Sequence, residues 1–281
     1  MSDRGGTAWL DAMRRGDLAT AWMIADAVLA TRDPATRDDA RQAYHLRWVW
    51  DGRRFDGRDV LVRCYHGLGD TLQFARYLAP LRARAASVTL EVQPELLPLL
   101  ARVPGADRVM RFAVAHPAPP AACDIEIMEL AHALRLPPEQ VQPPALAVAP
   151  APIAADVALC WRAGAWDTRR SVPLYRVLAA LRPLRVVSAQ HKAAAADGDI
   201  LHTAALLAGA PLVVTVDTMV AHLAGTLGRP TWLLLHADAD WRWQCGRTDS
   251  PWYPRMRLFR QSVAGDWRAP LAAIRCALRR G

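Results

Sequence analysis

The sequence predicts two α/β units, each a doubly wound parallel sheet, with a short helical hairpin in front of them. Three observations predict this. Residues 58–150 alternate short apolar runs with amphipathic stretches of helical period, the rhythm of strands and crossover helices. The same alternation resumes at Val157. Between the two, six prolines crowd into residues 137–152, a stiff connector that marks a boundary. The expected domains are residues 1–50, 51–150 and 151–281.

In chain order, residues 7–50 read as helical. Trp9, Leu10 and Met13 begin one amphipathic pattern, and Ala21, Ile24, Ala25, Val28 and Leu29 continue a second after Gly16-Asp17. This resembles a single tetratricopeptide-like hairpin. One such unit cannot bury its own face and is expected to dock on the rest of the chain or on a partner. In the first α/β unit, strands are expected at 59–64, 87–92, 107–111 and 123–127, with helices from 71 and near 94–102. In the second, the strands are Val157–Trp161, Leu184–Ala189, Leu212–Val216 and Thr231–Leu235, with helices around 174–181, 200–208 and 218–227 and a terminal helix around 266–280.

The chain has 281 residues and is 52% apolar, enough to fill two cores of ordinary size. No apolar run approaches the ~20 residues of a membrane span, and Met1–Gly6 lacks the apolar region of a secretory signal. The five cysteines are odd in number and scattered. They read as small core residues in a reducing compartment, so a cytoplasmic location is expected. The formal charge is +8, and Lys192 is the only lysine. A basic surface suits anionic ligands: nucleotide diphosphates, acidic glycolipid or nucleic acid. The arginines are dispersed, with no basic-aromatic stripe, which argues against nucleic acid; at most peripheral membrane contact is expected.

The most informative stretch is His66-Gly67-Leu68-Gly69-Asp70-Thr71. It carries a lone acid, Asp70, from a buried strand into a helix whose apolar face is Leu72, Ala75, Leu78 and Leu81. Gly67 and Gly69 are expected to supply backbone freedom for a sharp reversal and room for another molecule. Asp70 then sits at the carboxyl edge of the sheet, where open α/β folds place ligands. A dinucleotide-binding turn is the competing reading. Its third glycine should stand at position 72, which is leucine, and Glu91, at the right distance to hold a ribose, falls inside a strand pattern.

In the second unit, polar residues collect where strands end. Trp161-Arg162 is followed by a loop with Arg169, Arg170 and Ser171; the next strand delivers Gln190-His191-Lys192, then Asp217-Thr218, then His236 with Asp238. Thr218 and His222 lie four apart near a helix start, where free N–H groups favour a phosphate. Asp217 would cap that helix or accept hydrogen bonds from a ribose or sugar; the plainer alternative is an N-cap beside a surface histidine. Arg162 and Arg170 are candidates to clamp a pyrophosphate, or else solvated surface arginines, and Lys192 is similar. Asp238-Ala239-Asp240 and Asp197-Gly198-Asp199 match a manganese-binding Asp-x-Asp, but nothing else converges to complete an oxygen cage, so no metal is expected. Trp241, Trp243, Trp252 and Tyr253 could line a sugar site, yet packing of a loop against its own sheet is favoured.

The ordered series Trp50-Asp51-Gly52, Gly67–Leu78, Leu90–Pro94, Val216–Gly225 and Ser250–Gln261 resembles the bacterial heptosyltransferase-like (family nine) glycosyltransferase domain found behind tetratricopeptide repeats. The likeness spans about residues 50–275. It implies a GT-B fold of two facing Rossmann-like domains, with a nucleotide-diphosphate-sugar donor as co-substrate, no cofactor, and metal-independent transfer with inversion. It also implies that Asp70 is the base, that Asp217, Thr218 and His222 bind the donor, and that Arg170 is the basic residue of the pre-helix loop. Arg162 and Gln190 join the donor set, with His66 and Lys192 as auxiliaries. Two departures stand out: Tyr65-His66 replaces the usual Glu-Gln, and Ala165-Trp166-Asp167 replaces a more polar run. The expected function is therefore glycosyl transfer to a glycan, glycolipid or protein hydroxyl. A catalytically silent nucleotide-sugar-binding or scaffold protein, recruiting a partner through its hairpin, is the alternative.

Overall fold

In the computed structural model, which describes residues 3–113, 116, 118–190 and 200–279, the chain forms two compact units, Met1–Leu146 and Ala147–Gly281.

The first unit opens with helices of equal length, α1 (Asp3–Arg15) and α2 (Leu18–Ala30), which pack on each other. Asp17 caps α2 by accepting the Thr20 N–H at 3.1 Å. The helical reading of residues 7–50 fails beyond Ala30. From Thr31 to Arg58 the chain runs irregularly, with single 3-10 turns at Pro34–Thr36 and Tyr44–Leu46. The reason is tertiary: this segment buries single apolar residues, Val49, Trp50 and Phe55, rather than one helical face, and charge ties the rest of it down. Arg32 pairs with Glu129 at 2.8 Å, and Asp26 holds His132 at 2.9 Å and Arg135 at 2.6 Å. The hairpin thus docks on its own unit.

Strand β1 (Asp59–Arg63) lies inside a four-stranded parallel sheet of order β3-β2-β1-β4, with β2 at Ser87–Val92, β3 at Arg108–Arg111 and β4 at Asp124–Glu126. Central strands buried on both faces read as continuous apolar runs, which is why β1 and β2 were legible. After β1 come α3 (Leu68–Phe74), a 3-10 turn and α4 (Leu78–Arg82). Leu72, Ala75, Leu78 and Leu81 are all buried. Helices α5 (Leu97–Leu100) and α6 (Leu130–Leu134) complete the unit.

The second unit holds a five-stranded parallel sheet of order β6-β5-β7-β8-β9. Its strands are β5 (Val157–Cys160), β6 (Val186–Ser188), β7 (Leu212–Val216), β8 (Thr231–Leu235) and β9 (Met256–Arg260). Helices α7 (Leu174–Leu181), α8 (Ile200–Gly209), α9 (Met219–Thr226) and α10 (Arg268–Leu278) flank it. One core gathers Val157, Leu159, Val177, Leu181, Val214, Val216, Phe259 and Ile274. The strand β9 was not read as one, because Arg257 and Arg260 interrupt its apolar run.

Arginine serves many loops in one local form. Asp-x-Arg or Arg-x-Asp pairs close at Asp39/Arg41, Asp51/Arg53, Arg54/Asp56, Asp167/Arg169, Asp240/Arg242, Arg247/Asp249 and Asp266/Arg268, each at 2.7–2.9 Å. Cys64, Cys123 and Cys160 are buried, but Cys245 and Cys276 are exposed, against the expectation that all five fill the core. Among the described residues no helix is long and apolar enough to cross a membrane.

Gly105 shows how tightly the first unit is assembled. Its φ is +92°, and an added Cβ would lie 2.3 Å from Ala79 N and Leu78 C, which are backbone atoms that cannot rotate away. Gly105→Ala is expected to destabilise the protein by about 2 kcal/mol or more, combining backbone strain with overpacking. A denaturant midpoint equal to that of the wild type would refute this.

Candidate functional site

In the first unit, β1 leads into a turn that is stapled from β2. The Gln93 amide donates to the His66 carbonyl at 2.8 Å, and its Oε1 accepts from the Thr71 hydroxyl at 3.0 Å. One buried side chain therefore fixes the turn and the first turn of α3 together. In the sequence Gln93 carries no signal of its own. Asp70, half-buried, folds back so that Oδ2 accepts the Gly67 N–H at 2.8 Å.

The two glycines work differently from expectation. Gly67 has φ −72° and Gly69 is helical, so neither uses a glycine-only conformation. What Gly67 contributes is space: a Cβ there would sit 3.2 Å from Asp70 Oδ2. His66 is exposed beside it. Tyr65, where the family resemblance leads one to expect an acid or amide, is buried and donates its hydroxyl to Asp38 at 3.2 Å. Glu91 is no ribose ligand either; it is buried, pairs with Arg63 at 3.2 Å and accepts the Ala118 N–H at 2.9 Å. Glu126, at the end of β4, was not singled out in the sequence. It is buried, accepts the Met128 N–H at 2.7 Å, and burial pushes its carboxyl well above the usual range.

In the second unit the carboxyl ends of neighbouring strands bring most of the expected donor residues together. The Gln190 amide grips the backbone of Arg162 at both ends, accepting from its N–H at 3.0 Å and donating to its carbonyl at 2.9 Å. The Cys160 sulfur lies 3.7 Å from both Gln190 Oε1 and Thr218 Oγ1, so the ends of β5, β6 and β7 meet there. Arg170, at the end of the 3-10 turn Ala165–Arg170, donates to the Asp217 carbonyl at 2.7 Å and has Nη1 3.8 Å from its carboxylate. The two arginines differ: Arg170 is tied to β7, whereas Arg162 is held by its backbone and exposes its guanidinium. Arg169 is spent on Asp167. His191, Lys192, Asp197 and Asp199 lie outside the described residues.

Helix α9 corrects two readings. Its N-cap position belongs to Thr218, not Asp217, and His222 is buried rather than on the surface. The His222 ring stacks on Trp243 at 5.3 Å between centroids, and Nδ1 lies 3.1 Å from the Tyr253 hydroxyl. Trp243, Trp252 and Tyr253 are all buried, so the aromatic cluster packs a loop on the sheet, as favoured. The start of α9 is not sealed; Thr218 and Met219 are half-buried, while Val220–Thr226 are buried. His236 accepts the Asp238 N–H at 3.1 Å, and Asp240 caps the turn Trp241–Trp243 while pairing with Arg242 at 2.8 Å. Among the described residues no group of three or more His, Cys, Asp and Glu side chains could hold a metal ion.

Asp217 is the electrostatic focus. Burial, reinforced by Asp240 and opposed by Arg170, raises its pKa to about 6. For an acid so raised, the folded state binds the proton more tightly than the unfolded chain. Stability from this group is therefore full below about pH 4 and is lost as pH rises through 6. The full effect is on the order of 3 kcal/mol. Asp217→Asn should flatten the fall in melting temperature between pH 4.5 and 7.5; an unchanged pH dependence would refute the assignment. Gly225 gives a second test. An added Cβ would lie 2.5 Å from the Tyr253 ring. Gly225→Ala is expected to cost about 1–3 kcal/mol and to shift the His222 ring resonances as Tyr253 is displaced.

No protein-family model matches the sequence, and no curated protein sequence matches it. Solved structures match its fold. The iron-containing dodecameric glycosyltransferase TibC of enterotoxigenic E. coli aligns with a TM-score of 0.56 at 16% identity, over 76% of this chain and 66% of its own. A family 9 glycosyl transferase from Veillonella parvula aligns at 0.51 and 10%, over 74% of this chain and 87% of its own. E. coli ADP-heptose lps heptosyltransferase II aligns at 0.54 and 13%, over 79% of this chain and 99% of its own. This chain thus spans 66% of TibC. At such identities the likeness shows the fold: two parallel-sheet α/β units of the GT-B kind.

Proposed function

We propose that this chain is a glycosyltransferase that moves a sugar from a nucleotide-diphosphate-sugar to an acceptor hydroxyl, with inversion and without a metal ion. The observation that carries this reading is the convergence of Arg162, Arg170, Gln190, Asp217 and Thr218 at the carboxyl ends of β5, β6 and β7. A diphosphate leaving group needs its developing negative charge stabilised. Guanidinium groups and the N–H groups at the start of α9 supply that without a cation. Asp217 suits a ribose or sugar hydroxyl, and an approaching diphosphate would favour its neutral form.

The first unit supplies the base. Asp70 takes the proton of the acceptor hydroxyl as that oxygen forms its bond to the anomeric carbon. His66 and Lys192 are auxiliaries to the two halves of this chemistry. His222 serves from below, holding the start of α9 through Trp243 and Tyr253. TibC has been solved in complex with ADP-D-beta-D-heptose, and E. coli WaaC with ADP-2-deoxy-2-fluoro heptose. ADP-heptose is accordingly the first donor to test, and the acceptor is a glycan, glycolipid or protein. A cytoplasmic location belongs to the same reading and rests on the scattered cysteines, all free among the described residues.

Thermal melts with ADP, UDP and GDP test donor binding. A nucleotide at a hundred times its Kd should add about 2.7 kcal/mol, raising the melting temperature by several degrees. Arg170→Met should abolish that rise. Asp70→Asn should keep the rise but lower sugar transfer by about a hundred- to ten-thousandfold. Full transfer by Asp70→Asn would remove the base, and binding without any turnover by the wild type would favour the silent alternative.

A further inference from the structure

Tyr65, which follows β1, is the foot of an aromatic stack that the proposed mechanism does not use. Its ring lies 5.5 Å from that of Phe112, the residue after β3, and 6.1 Å from that of Tyr44. Tyr44 in turn meets Phe112 at 5.3 Å and His45 at 5.6 Å between centroids. Tyr65 and Phe112 are buried, Tyr44 is half-buried, and His45 and Leu46 are exposed, Leu46 by 65%. Tyr65 and Phe112 both stand just past strand ends, so the rings gather at the carboxyl edge of the first sheet. From Tyr65 the chain passes through exposed His66 to Gly67, whose N–H donates to Asp70 at 2.8 Å.

The segment that carries Tyr44 is stiff. The Leu46 N–H donates to the Ala43 carbonyl at 2.8 Å, and the Arg47 guanidinium grips the carbonyls of Gln42 and Ala40 at 3.0 and 3.2 Å. The Asp38 N–H donates to the Trp48 carbonyl at 2.9 Å and closes the neck of the loop. Its charges are spent on partners: Asp39 on Arg41 at 2.9 Å, Asp38 on Arg47 at 3.6 Å, and Arg37 on Asp124 at 3.9 Å. A phosphorylated headgroup would find these arginines already paired, and a peptide would find the carbonyls of residues 40, 42 and 43 engaged. The turn Tyr44–Leu46 instead shows solvent two rings and an isobutyl group. A surface already held in place loses little freedom on binding. The negative face of an aromatic ring attracts the weakly positive C–H hydrogens on the flat side of a pyranose.

We propose that Tyr44, His45 and Leu46 form an acceptor subsite, and that the group they take is a neutral sugar ring. This rests on the reading of Asp70 as base. The sugar packs its C–H face on Tyr44 and Leu46, and the His45 imidazole meets a ring hydroxyl. A ring seated there lies on the same sheet edge as Asp70, so the hydroxyl to be glycosylated belongs to that ring or to one linked to it. The acceptor is then a glycan, and the segment between the helical hairpin and β1 selects it.

Saturation-transfer NMR on the full chain, in the absence of donor, reads acceptor binding without turnover. Maltose, cellobiose and chitobiose serve as neutral glycan probes, and a serine-containing peptide as the protein probe. The wild type should pass saturation to the pyranose C–H protons of at least one disaccharide. Tyr44→Ala should weaken that binding by about tenfold, the loss of one aromatic contact, and Leu46→Ser by about threefold. A wild type that binds none of the disaccharides, or the peptide alone, would overturn the subsite, as would binding unmoved in both variants. Should Tyr44→Ala fail to fold, Leu46→Ser and His45→Ala, both at exposed positions, decide. Failure of the base reading shows separately, as undiminished transfer by Asp70→Asn.

Discussion

A single buried guanidinium organises the first unit. Arg63 is fully buried at the end of β1, yet it reaches Asp124 on β4 at 2.6 Å, Glu91 on β2 at 3.2 Å, and the carbonyls of Ala118 and Pro119. Asp38, from the irregular segment after the hairpin, lies 3.9 Å away. Burial raises the pKa of Asp124 even with Arg63 beside it, which shows how little solvent reaches the cluster. Such a cluster is costly to desolvate and costlier to break, since loss of one member strands the others. Its value here is register. It locks three neighbouring strands and the N-terminal segment to one another, a few residues before the chain turns to present Asp70.

The two units use one architectural device with opposite chemistry. Parallel strands all end at the same edge, so residues distant in sequence become neighbours there. In the first unit that edge carries Asp70, Glu126 and the Gln93 staple; in the second it carries guanidinium groups, a glutamine and a helix start. Amides do the positioning in both. Gln93 binds a turn and a helix, and Gln190 binds both backbone groups of Arg162. An amide has a donor and an acceptor at a fixed spacing, so it can hold backbone without adding charge.

The sheets were legible because central parallel strands are unbroken apolar runs and the helices between them keep a regular period. The places of Asp70, Arg170 and Thr218, where a strand or loop meets a helix, follow from the same pattern. Other features depended on partners remote in sequence. His222 is buried only because Trp243 and Tyr253 close over it, twenty and more residues on. Residues 31–50 read as helical in isolation, but Arg32, Arg37 and Asp38 find charges elsewhere in the unit. Glu126 carries no local signal at all; a glutamate closing a three-residue strand becomes notable only when its burial is known.

The Asp-x-Arg staples bear on how an anion would find this protein. A carboxylate and a guanidinium held within three ångströms look, from afar, like a small dipole, whose potential decays faster than that of a lone charge. Seven pairs closed this way contribute little to the distant field. Attraction at long range therefore falls to arginines outside such staples, the exposed Arg162 among them. The stapled loops keep their shape while the steering is left to the arginines outside them, and dissolved salt would blunt that steering before it loosened the loops.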